Sequence, residues 1–153
     1  MKLPFLRRLL TGGAPADALK ITYASSLGAG PKAQFGQLLT AVATELPDSL
    51  AVSVIHLKSG ELLATRHLPG KTNPARAAAY NAEVIKQQQQ ALHVLGLAGS
   101  ESIEDILITL NSQWHVLRLL PGNRYFIHLM VSKRDANLAL AREVLRTHVA
   151  AVV

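Results

Sequence analysis

Two histidines in the second half of the chain are the residues best placed to do chemistry. His115 and His128 lie in WHVLRLLPGNRYFIHLMV, residues 114–131, on either side of a predicted turn at PGNR. If the residues that flank PGNR pair with each other, both imidazoles lie on one face of a hairpin and stand diagonal to each other, with Cα atoms roughly 7–8 Å apart. Two imidazoles at that separation can share a metal ion or act together in catalysis.

The neighbours of this histidine pair favour packing over chemistry. A catalytic zinc ion normally has three protein ligands, whereas the same strand faces offer apolar side chains rather than acids. His56 lies in a different predicted strand, and nothing in the sequence sets its face relative to the pair. We therefore predict that His115 and His128 pack or form hydrogen bonds between the sheet and a helix, with no metal site and no catalytic residue. A metal-dependent hydrolase is the alternative, which bound metal in the purified protein would reveal.

Residues 68–74, LPGKTNP, suggest a phosphate-binding motif that closer reading excludes. Gly-Lys-Thr between a strand and a helix is the context of a P-loop, but the position five residues before Gly70 is Thr65 instead of the required glycine. Pro74 also removes an amide from the helix start, where a phosphate would be held. The segment is therefore predicted to be a turn. No GxSxG, HExxH or GxGxxG pattern occurs, so we predict a protein that is not an enzyme and has no cofactor.

Composition limits the class of protein and the kinds of partner. The 153 residues suit one domain with its own core, and the absence of cysteine excludes disulfides and thiolate chemistry. The formal net charge of +6 permits an acidic partner such as nucleic acid, an anionic membrane or an acidic protein surface. Trp114, Arg118 and Tyr125 on one strand face would imitate a base-stacking platform, but basic and aromatic residues are not interleaved along the chain. We predict no specific nucleic-acid binding.

The first 30 residues differ from the remainder. MKLPFLRRLL has arginines within its apolar letters, unlike a signal peptide, and no apolar run is long enough to cross a bilayer. We predict a flexible basic leader over residues 1–30, a cytoplasmic protein, and weak contact of residues 1–10 with an anionic membrane surface. Glycines and prolines punctuate the leader, so a single domain is predicted over residues 31–153.

Periodicity predicts an α+β domain in the order helix, two strands, helix, three strands, helix. The helices are predicted from Pro31 to before Pro47, from Pro74 to about residue 95 after an Asn73 cap, and after an Asp135 cap. The strands are predicted at residues 50–57, 61–66, 105–110, 114–120 and 125–131. The inner stripe of the second helix is predicted to be Ala78, Ala82, Ile85, Gln89 and Leu92.

The predicted strand DILITL, residues 105–110, is the clearest indication of a protein partner. It is apolar and lacks proline and lysine, so at a sheet edge its unpaired backbone groups have no protection. Pairing with a second copy about a two-fold axis buries such an edge. The alternative is that this strand lies inside the sheet.

Two segments resemble the roadblock family, also called the dynein light chain roadblock type. FGQLLTAVATELPDSLAVSVIHLKSGELLAT, residues 35–65, is similar to the first helix and first hairpin of the family. SKRDANLALAREVLR, residues 132–146, is similar to the entry into its last helix, where an Asn-Leu, a small residue and an Arg recur, here Asn137, Leu138, Ala141 and Arg142. The chain departs from the family in a Ser-Gly turn where Asp-Gly is common, and in the lack of glycines around the third strand.

The resemblance implies a five-stranded antiparallel sheet with the second helix on one face and the first and last helices on the other. It also implies a homodimer in which third strands pair and second helices meet, with Ile106, Leu107, Ile108 and Leu110 at the junction. Bacterial members include noncatalytic regulators of small Ras-like GTPases, so we expect a regulator or scaffold that binds a small GTPase or other NTPase. Its expected contacts lie on the outward side of the second helix, at Arg76, Lys86, Gln87 and Gln90.

The alternative function is a sensor of a small molecule or a membrane surface, built on the same layers and using the basic N-terminal segment. Vesicle binding that requires residues 1–10 would distinguish this sensor from a GTPase regulator.

Overall fold

The computed structural model describes residues 20–70 and 72–152, and the expected membrane contact of residues 1–10 lies outside them. Along the described chain the elements are β1 (Thr22–Tyr23), α1 (Ala29–Glu45), β2 (Ala51–His56), β3 (Leu62–His67), α2 (Pro74–Val94), β4 (Asp105–Thr109), β5 (Gln113–Leu119), β6 (Tyr125–Ser132) and α3 (Leu138–Ala150). From α1 onward, this is the order that periodicity predicted. None of the described helices has the length and apolar character needed to cross a bilayer.

The strands form one antiparallel sheet in the order β1-β3-β2-β6-β5-β4. The prediction of five strands is wrong by one, because Thr22 and Tyr23 of β1 pair with Thr65 and Ala64 of β3. Two residues are too few to show the apolar alternation by which a strand is recognised in a sequence. β1 and the first two residues of α1 lie within residues 1–30, so regular structure begins earlier than the leader prediction placed it.

Helices cover both faces of the sheet, and the alternation of side chains along each strand builds a separate core on each face. The larger core joins α1 and α3 to the sheet through side chains that include Phe35, Leu39, Val116, Ile127 and Leu145. The smaller core joins α2 to the opposite face through Ala78, Ala82, Ile85, Leu117 and Phe126. Among the helices of the described chain, the second is therefore the one that covers this face, as the resemblance implied.

The turn between β2 and β3 approaches α2 so closely that it requires a glycine. Gly60 has φ of +71°, which disfavours any side chain, and a Cβ at this position would lie 3.1 Å from the Cα of Ala79. The small-residue turn of the first hairpin thus lets the hairpin tip lie directly against the second helix.

The predicted Asp135 cap of the last helix is wrong. α3 starts at Leu138, and the Asn137 side chain accepts a hydrogen bond from Leu140 N at 3.0 Å. Asp135 lies two residues earlier in a turn, where its N–H donates to Ser132 O at 3.3 Å. Asp and Asn both cap helices well, so the outcome depends on this turn, which the sequence pattern did not reveal.

The Asn-Leu, small-residue and Arg pattern at the start of α3 connects this helix to the edge of the sheet. Ala141 is buried, and the next residue, Arg142, donates two hydrogen bonds to Asp105 of β4, from Nη2 at 2.9 Å and from Nε at 3.1 Å. Arg118 Nη1 of β5 donates to the same carboxylate at 3.2 Å. Because the Asp105 side chain is only 8% exposed, one largely buried carboxylate joins β4, β5 and α3.

Replacement of Asp105 by Asn is expected to lower the free energy of unfolding by about 1–3 kcal/mol, because Asn keeps the volume but leaves the largely buried Arg118 cation without its nearest carboxylate. Urea unfolding followed by circular dichroism measures the change. Glu143→Gln is the matched control, since the ion pair of Glu143 with Arg146 is exposed and is expected to add little. Equal losses in the two variants would contradict a role specific to Asp105.

Candidate functional site

β4 lies at one edge of the sheet and has free hydrogen-bonding groups. Leu110 N donates to Gln113 O at 2.9 Å, so alternation along the antiparallel pair turns the N–H and C=O groups of Ile108 toward β5 and those of Leu107 and Thr109 outward. An apolar edge with outward backbone groups is a template for pairing with another chain. The alternative of an interior strand is therefore excluded within the described chain.

The four residues expected at a dimer junction all lie along this edge, on both faces of the sheet. Ile106 and Ile108 pack beside the core under α2. Leu107 points to the opposite face and is 38% exposed, and Leu110, just after the strand, is 46% exposed. Lys133 Nζ holds the end of the edge by donating to Leu110 O at 3.3 Å. The edge thus combines exposed apolar side chains with free backbone groups.

A second apolar surface lies on α2 and is named the α2 stripe here; it consists of Tyr80, Val84, Ala91 and Leu95. Tyr80 and Leu95 are each 68% exposed, and the spacings of four, seven and four residues place the four side chains on one side of the helix. Gln88, four residues after Val84, lines a cleft with residues 101–106, so the α2 stripe lies on the β4 side of α2. The sequence reading missed this stripe, although its spacing is visible in the sequence.

The outward side of α2 contains three of the four expected partner contacts. Arg76, Gln87 and Gln90 are exposed, and Arg76 and Gln90 are separated by about 21 Å along the helix axis. Lys86 is instead turned toward the first hairpin, where its Nζ pairs with Glu83 and donates to Lys58 O at 3.5 Å. Lys86 is therefore not brought together with the other three residues.

The inner side of α2 agrees with its predicted stripe only in part. Ala78, Ala82 and Ile85 are buried, but Gln89 and Leu92 are half-exposed because the core on this face ends near Ile85. Beyond it, an open cleft of about 480 Å³ lies between Gln88 and residues 101–106. The stripe also omitted Asn81, which is buried and faces the sheet.

The register predicted for the two histidines is confirmed. Leu117 pairs with His128 and His115 with Met130, so the imidazoles lie diagonally on the α2 face. His128 Nε2 and His115 Nδ1 are 3.1 Å apart, which is a direct hydrogen bond. The third histidine, His56, ends β2, and its Nδ1 lies 2.8 Å from Ser59 Oγ in the hairpin turn. Within residues 20–70 and 72–152, no three metal-binding side chains of the His, Cys, Asp or Glu type come together.

Two side-chain amides extend the histidine pair into a series named the imidazole chain here: Asn81, His128, His115 and Gln113. Asn81 Nδ2 lies 3.2 Å from His128 Nδ1, the nearer ring nitrogen, and 3.5 Å from Nε2 of the same ring. Gln113 Oε1 lies 3.0 Å from His115 Nε2. With Asn81 assigned to Nδ1, the series has three hydrogen bonds. All three contacts are satisfied when each imidazole is neutral with its proton on Nε2. Asn81 then donates to His128, His128 donates to His115, and His115 donates to Gln113.

Burial keeps the two imidazoles neutral. Loss of solvation under α2 and, to a smaller extent, the charge of His115 together lower the pKa of His128 to about 3. Burial also lowers the pKa of His115, which is half-buried nearer the β4 edge. The pair is therefore built to hold its hydrogen bonds without a net charge at neutral pH.

The two other motifs have structural roles. Gly70 has φ of +72° in a turn, and Asn73 Oδ1 caps α2 by accepting from Arg76 N at 3.1 Å. Trp114 and Tyr125 pack against the core under α1 and α3. The described residues among 68–74 therefore belong to a turn that caps α2. The rings of Trp114 and Tyr125 pack against the core and do not form an open platform for stacking bases.

The free energy of unfolding is expected to fall as the pH drops from 6.5 toward 3, because the unfolded chain protonates His128 near 6.5 while the folded chain does so only near 3. For His128 alone the loss at pH 5 relative to pH 7.5 is about 2 kcal/mol. Urea titrations over this range measure it.

His128→Gln is expected to flatten this pH dependence, because a glutamine can accept from Asn81 and donate to His115 but does not titrate. His93→Gln, at the exposed end of α2, is the control and is expected to keep the wild-type slope. A wild-type slope in His128→Gln would mean that other groups cause the acid sensitivity.

No protein-family model and no curated protein matches this chain. Solved structures do match it. A roadblock/LC7 domain from Streptomyces avermitilis is 13% identical, covers 76% of this chain and 92% of its own, and has a TM-score of 0.62. The gliding protein MglB from Thermus thermophilus is 15% identical, covers 82% and 90%, and has a TM-score of 0.68. A structure described as MglB with a tetrameric arrangement is 14% identical, covers 82% and 89%, and has a TM-score of 0.66.

Identities this low establish shared architecture and nothing finer. The matches extend over more than three quarters of the chain and nearly all of each matched structure. This chain therefore has the roadblock fold, as the resemblance of its first hairpin and last helix predicted.

Proposed function

We propose that this chain is a noncatalytic homodimer that regulates a small Ras-like GTPase or serves as its scaffold. The observation that carries the proposal is an unprotected apolar edge strand, β4, beside the exposed α2 stripe on a roadblock fold. Both surfaces lie at the same margin of the sheet, so a single partner can cover them together.

A second copy is the partner that best fits this margin. A two-fold axis beside β4 pairs the outward groups of Leu107 and Thr109 with their equivalents and joins two sheets into one. The same axis brings the two α2 stripes together, since the stripe lies on the side of α2 where Gln88 faces residues 101–106. Tyr80 and Leu95 then lose most of their exposure, and each buried Å² of apolar surface contributes about 25 cal/mol. The tetrameric arrangement described for MglB supports self-association in proteins of this fold.

The regulatory part of the proposal is supported by the roadblock resemblance, whose bacterial members include regulators of small Ras-like GTPases. Paired α2 helices present Arg76 and Gln90 on a rigid outward surface. Such a surface regulates a GTPase by binding one nucleotide state more tightly than the other. A noncatalytic role agrees with the imidazole chain, in which both histidines are already engaged by each other and by two amides.

Leu107→Pro is expected to convert the dimer into a monomer, because proline removes an outward N–H of β4 and leaves the hydrogen bonds to β5 in place. Leu107→Ala is the matched control, since it shortens the side chain but keeps the N–H and is expected to weaken association less. Light scattering at micromolar concentration should give twice the 16.5 kDa chain mass for the wild type.

Ile108→Lys is a second variant, expected to give a monomer or insoluble protein because it places a charge between β4 and α2. A wild-type monomer at micromolar concentration would contradict the edge-strand interface. Equal effects of proline and alanine at position 107 would assign the association to side chains and not to strand pairing.

The tagged protein is expected to capture a small GTPase from the native cell lysate in only one of two conditions, with GDP or with a nonhydrolysable GTP analogue, as read by mass spectrometry. Arg76→Glu is expected to reduce the capture at least about tenfold, because it reverses a charge on the outward side of α2. Arg146→Glu is the matched control, since this exposed arginine lies on α3 at the opposite face.

Recovery of no nucleotide-binding protein in either condition would contradict GTPase regulation while leaving the dimer intact. Equal loss of capture in the two charge reversals would contradict recognition by α2.

A further inference from the structure

The imidazole chain runs from the buried side of α2 to the rim of the sheet next to β4. Asn81 is buried beneath the helix, His128 is almost fully buried on β6, and His115 and Gln113 are half-buried on β5. His115 stands directly opposite Ile108 of the edge strand. The Gln113 end of the imidazole chain is therefore near solvent, whereas its Asn81 end is buried.

The groups that face the two imidazoles from neighbouring elements are uncharged. α2 contributes Asn81, β4 contributes Ile106 and Ile108, and β2 and β3 contribute Ser53 and Thr65, whose hydroxyls lie 2.7 Å apart. His115 is the one titratable group in the described chain whose charge shifts the pKa of His128. The pair is therefore isolated from other charges.

The charged residues of the same elements are engaged or placed elsewhere. Glu83 of α2 pairs with Lys86, Arg76 and His93 are exposed near the two ends of the helix, and Asp105 of β4 pairs with Arg118 and Arg142 on the opposite face. His67 of β3 lies in the same row across the sheet as His115, but Ala51 and Met130 separate them.

A proton added at His115 must change the direction of the inner hydrogen bonds. Protonated His115 donates from Nδ1 as well as Nε2, so His128 Nε2 has to accept. His128 then carries its proton on Nδ1, and Asn81 has to turn its amide so that Oδ1 accepts from it. The bond from His115 to Gln113 is unchanged. In this arrangement all four side chains are again hydrogen-bonded, and the net change is the uptake of one proton.

We propose that the imidazole chain is a one-proton switch, in which protonation at the rim of the sheet reverses two hydrogen bonds and turns over the Asn81 amide beneath α2. A second proton is excluded because His128 Nε2–H and His115 Nδ1–H would then point at each other across 3.1 Å. The low pKa of His128, caused by burial and by the charge of His115, agrees with this limit.

The switch also makes self-association depend on pH, a consequence that rests on the dimer proposed above. A second copy on β4 covers Ile108, the residue opposite His115, and so removes water from the rim. Loss of water disfavours the cationic form of His115. By linkage, the dimer is favoured by the neutral arrangement and weakened by acid.

The tautomers of the two imidazoles in the full chain provide the test, read from side-chain nitrogen chemical shifts in NMR spectra between pH 7.5 and 4.5. We expect both imidazoles to be Nε2–H tautomers at pH 7.5. As His115 becomes doubly protonated, His128 is expected to stay neutral and change to the Nδ1–H tautomer with the same midpoint. A His128 that remains the Nε2–H tautomer while His115 titrates, or that becomes cationic together with it, overturns the proposal.

Asn81→Asp distinguishes the switch from a static hydrogen bond. A carboxylate only accepts, so His128 is expected to be the Nδ1–H tautomer already at pH 7.5, and the midpoint of His115 is expected to rise by at least about one pH unit. His56→Gln removes an imidazole from the hairpin turn and is expected to leave both signals unchanged. An unchanged His128 tautomer in Asn81→Asp contradicts the reversal.

Sedimentation equilibrium at pH 7.5 and 5.5 tests the consequence for association. The dimer dissociation constant of the wild type is expected to rise at least about threefold at the lower pH, and that of His115→Gln to change less. A dimer with no pH dependence overturns the coupling. A monomer at both pH values would instead contradict the proposed dimer, while the tautomer measurement still decides the switch.

Discussion

The outward N–H and C=O groups of β4 need hydrogen-bond partners, and this requirement explains why so much of the structure converges on one margin of the sheet. β5 satisfies only one side of the strand. The Asp105 carboxylate fixes the start of β4 to β5 and α3, and Lys133 fixes the backbone just after its end. Such fixation matters because an edge strand has half the ladder hydrogen bonds of a central one. A strand held at both ends can present its free groups in a defined geometry.

The two polar systems near this margin lie on opposite faces of the sheet and differ in kind. The Asp105 system joins one carboxylate to two guanidinium groups through charge-assisted hydrogen bonds, so it connects α3 and β5 to the edge strand. The imidazole chain joins neutral groups whose hydrogen bonds can run in either direction. Burial has opposite consequences for the two. A largely buried carboxylate is stabilised by its two arginines, whereas the buried His128 imidazole is kept neutral because loss of solvation disfavours its charged form.

Much of the fold was predictable because long periodic segments determine elements and PGNR determines one register. The pairing of Leu117 with His128 followed from the residues that flank that turn alone. Two predictions were wrong because the sequence signal was either too short or shared equally by two residues. β1 has two residues, and Asp135 and Asn137 are equally good caps until the turn at Ser132 is known. The partners of the histidines were not predictable for a different reason. Asn81 comes from a helix and Gln113 from a strand start, and only tertiary packing brings them to the two rings.

Within the described chain the two edges of the sheet are unequal, and this asymmetry bears on the size of the assembly proposed above. β4 offers five residues, whereas the other edge ends in β1, a strand of two residues laid over the middle of β3. A molecule with two usable edges adds copies without limit and forms an open-ended sheet, as fibrils do. A molecule with one usable edge consumes it in the first encounter, so growth stops at a closed pair. In the dimer proposed above, pairing through β4 therefore leaves the two-residue β1 as the outer strand of the described part of each sheet.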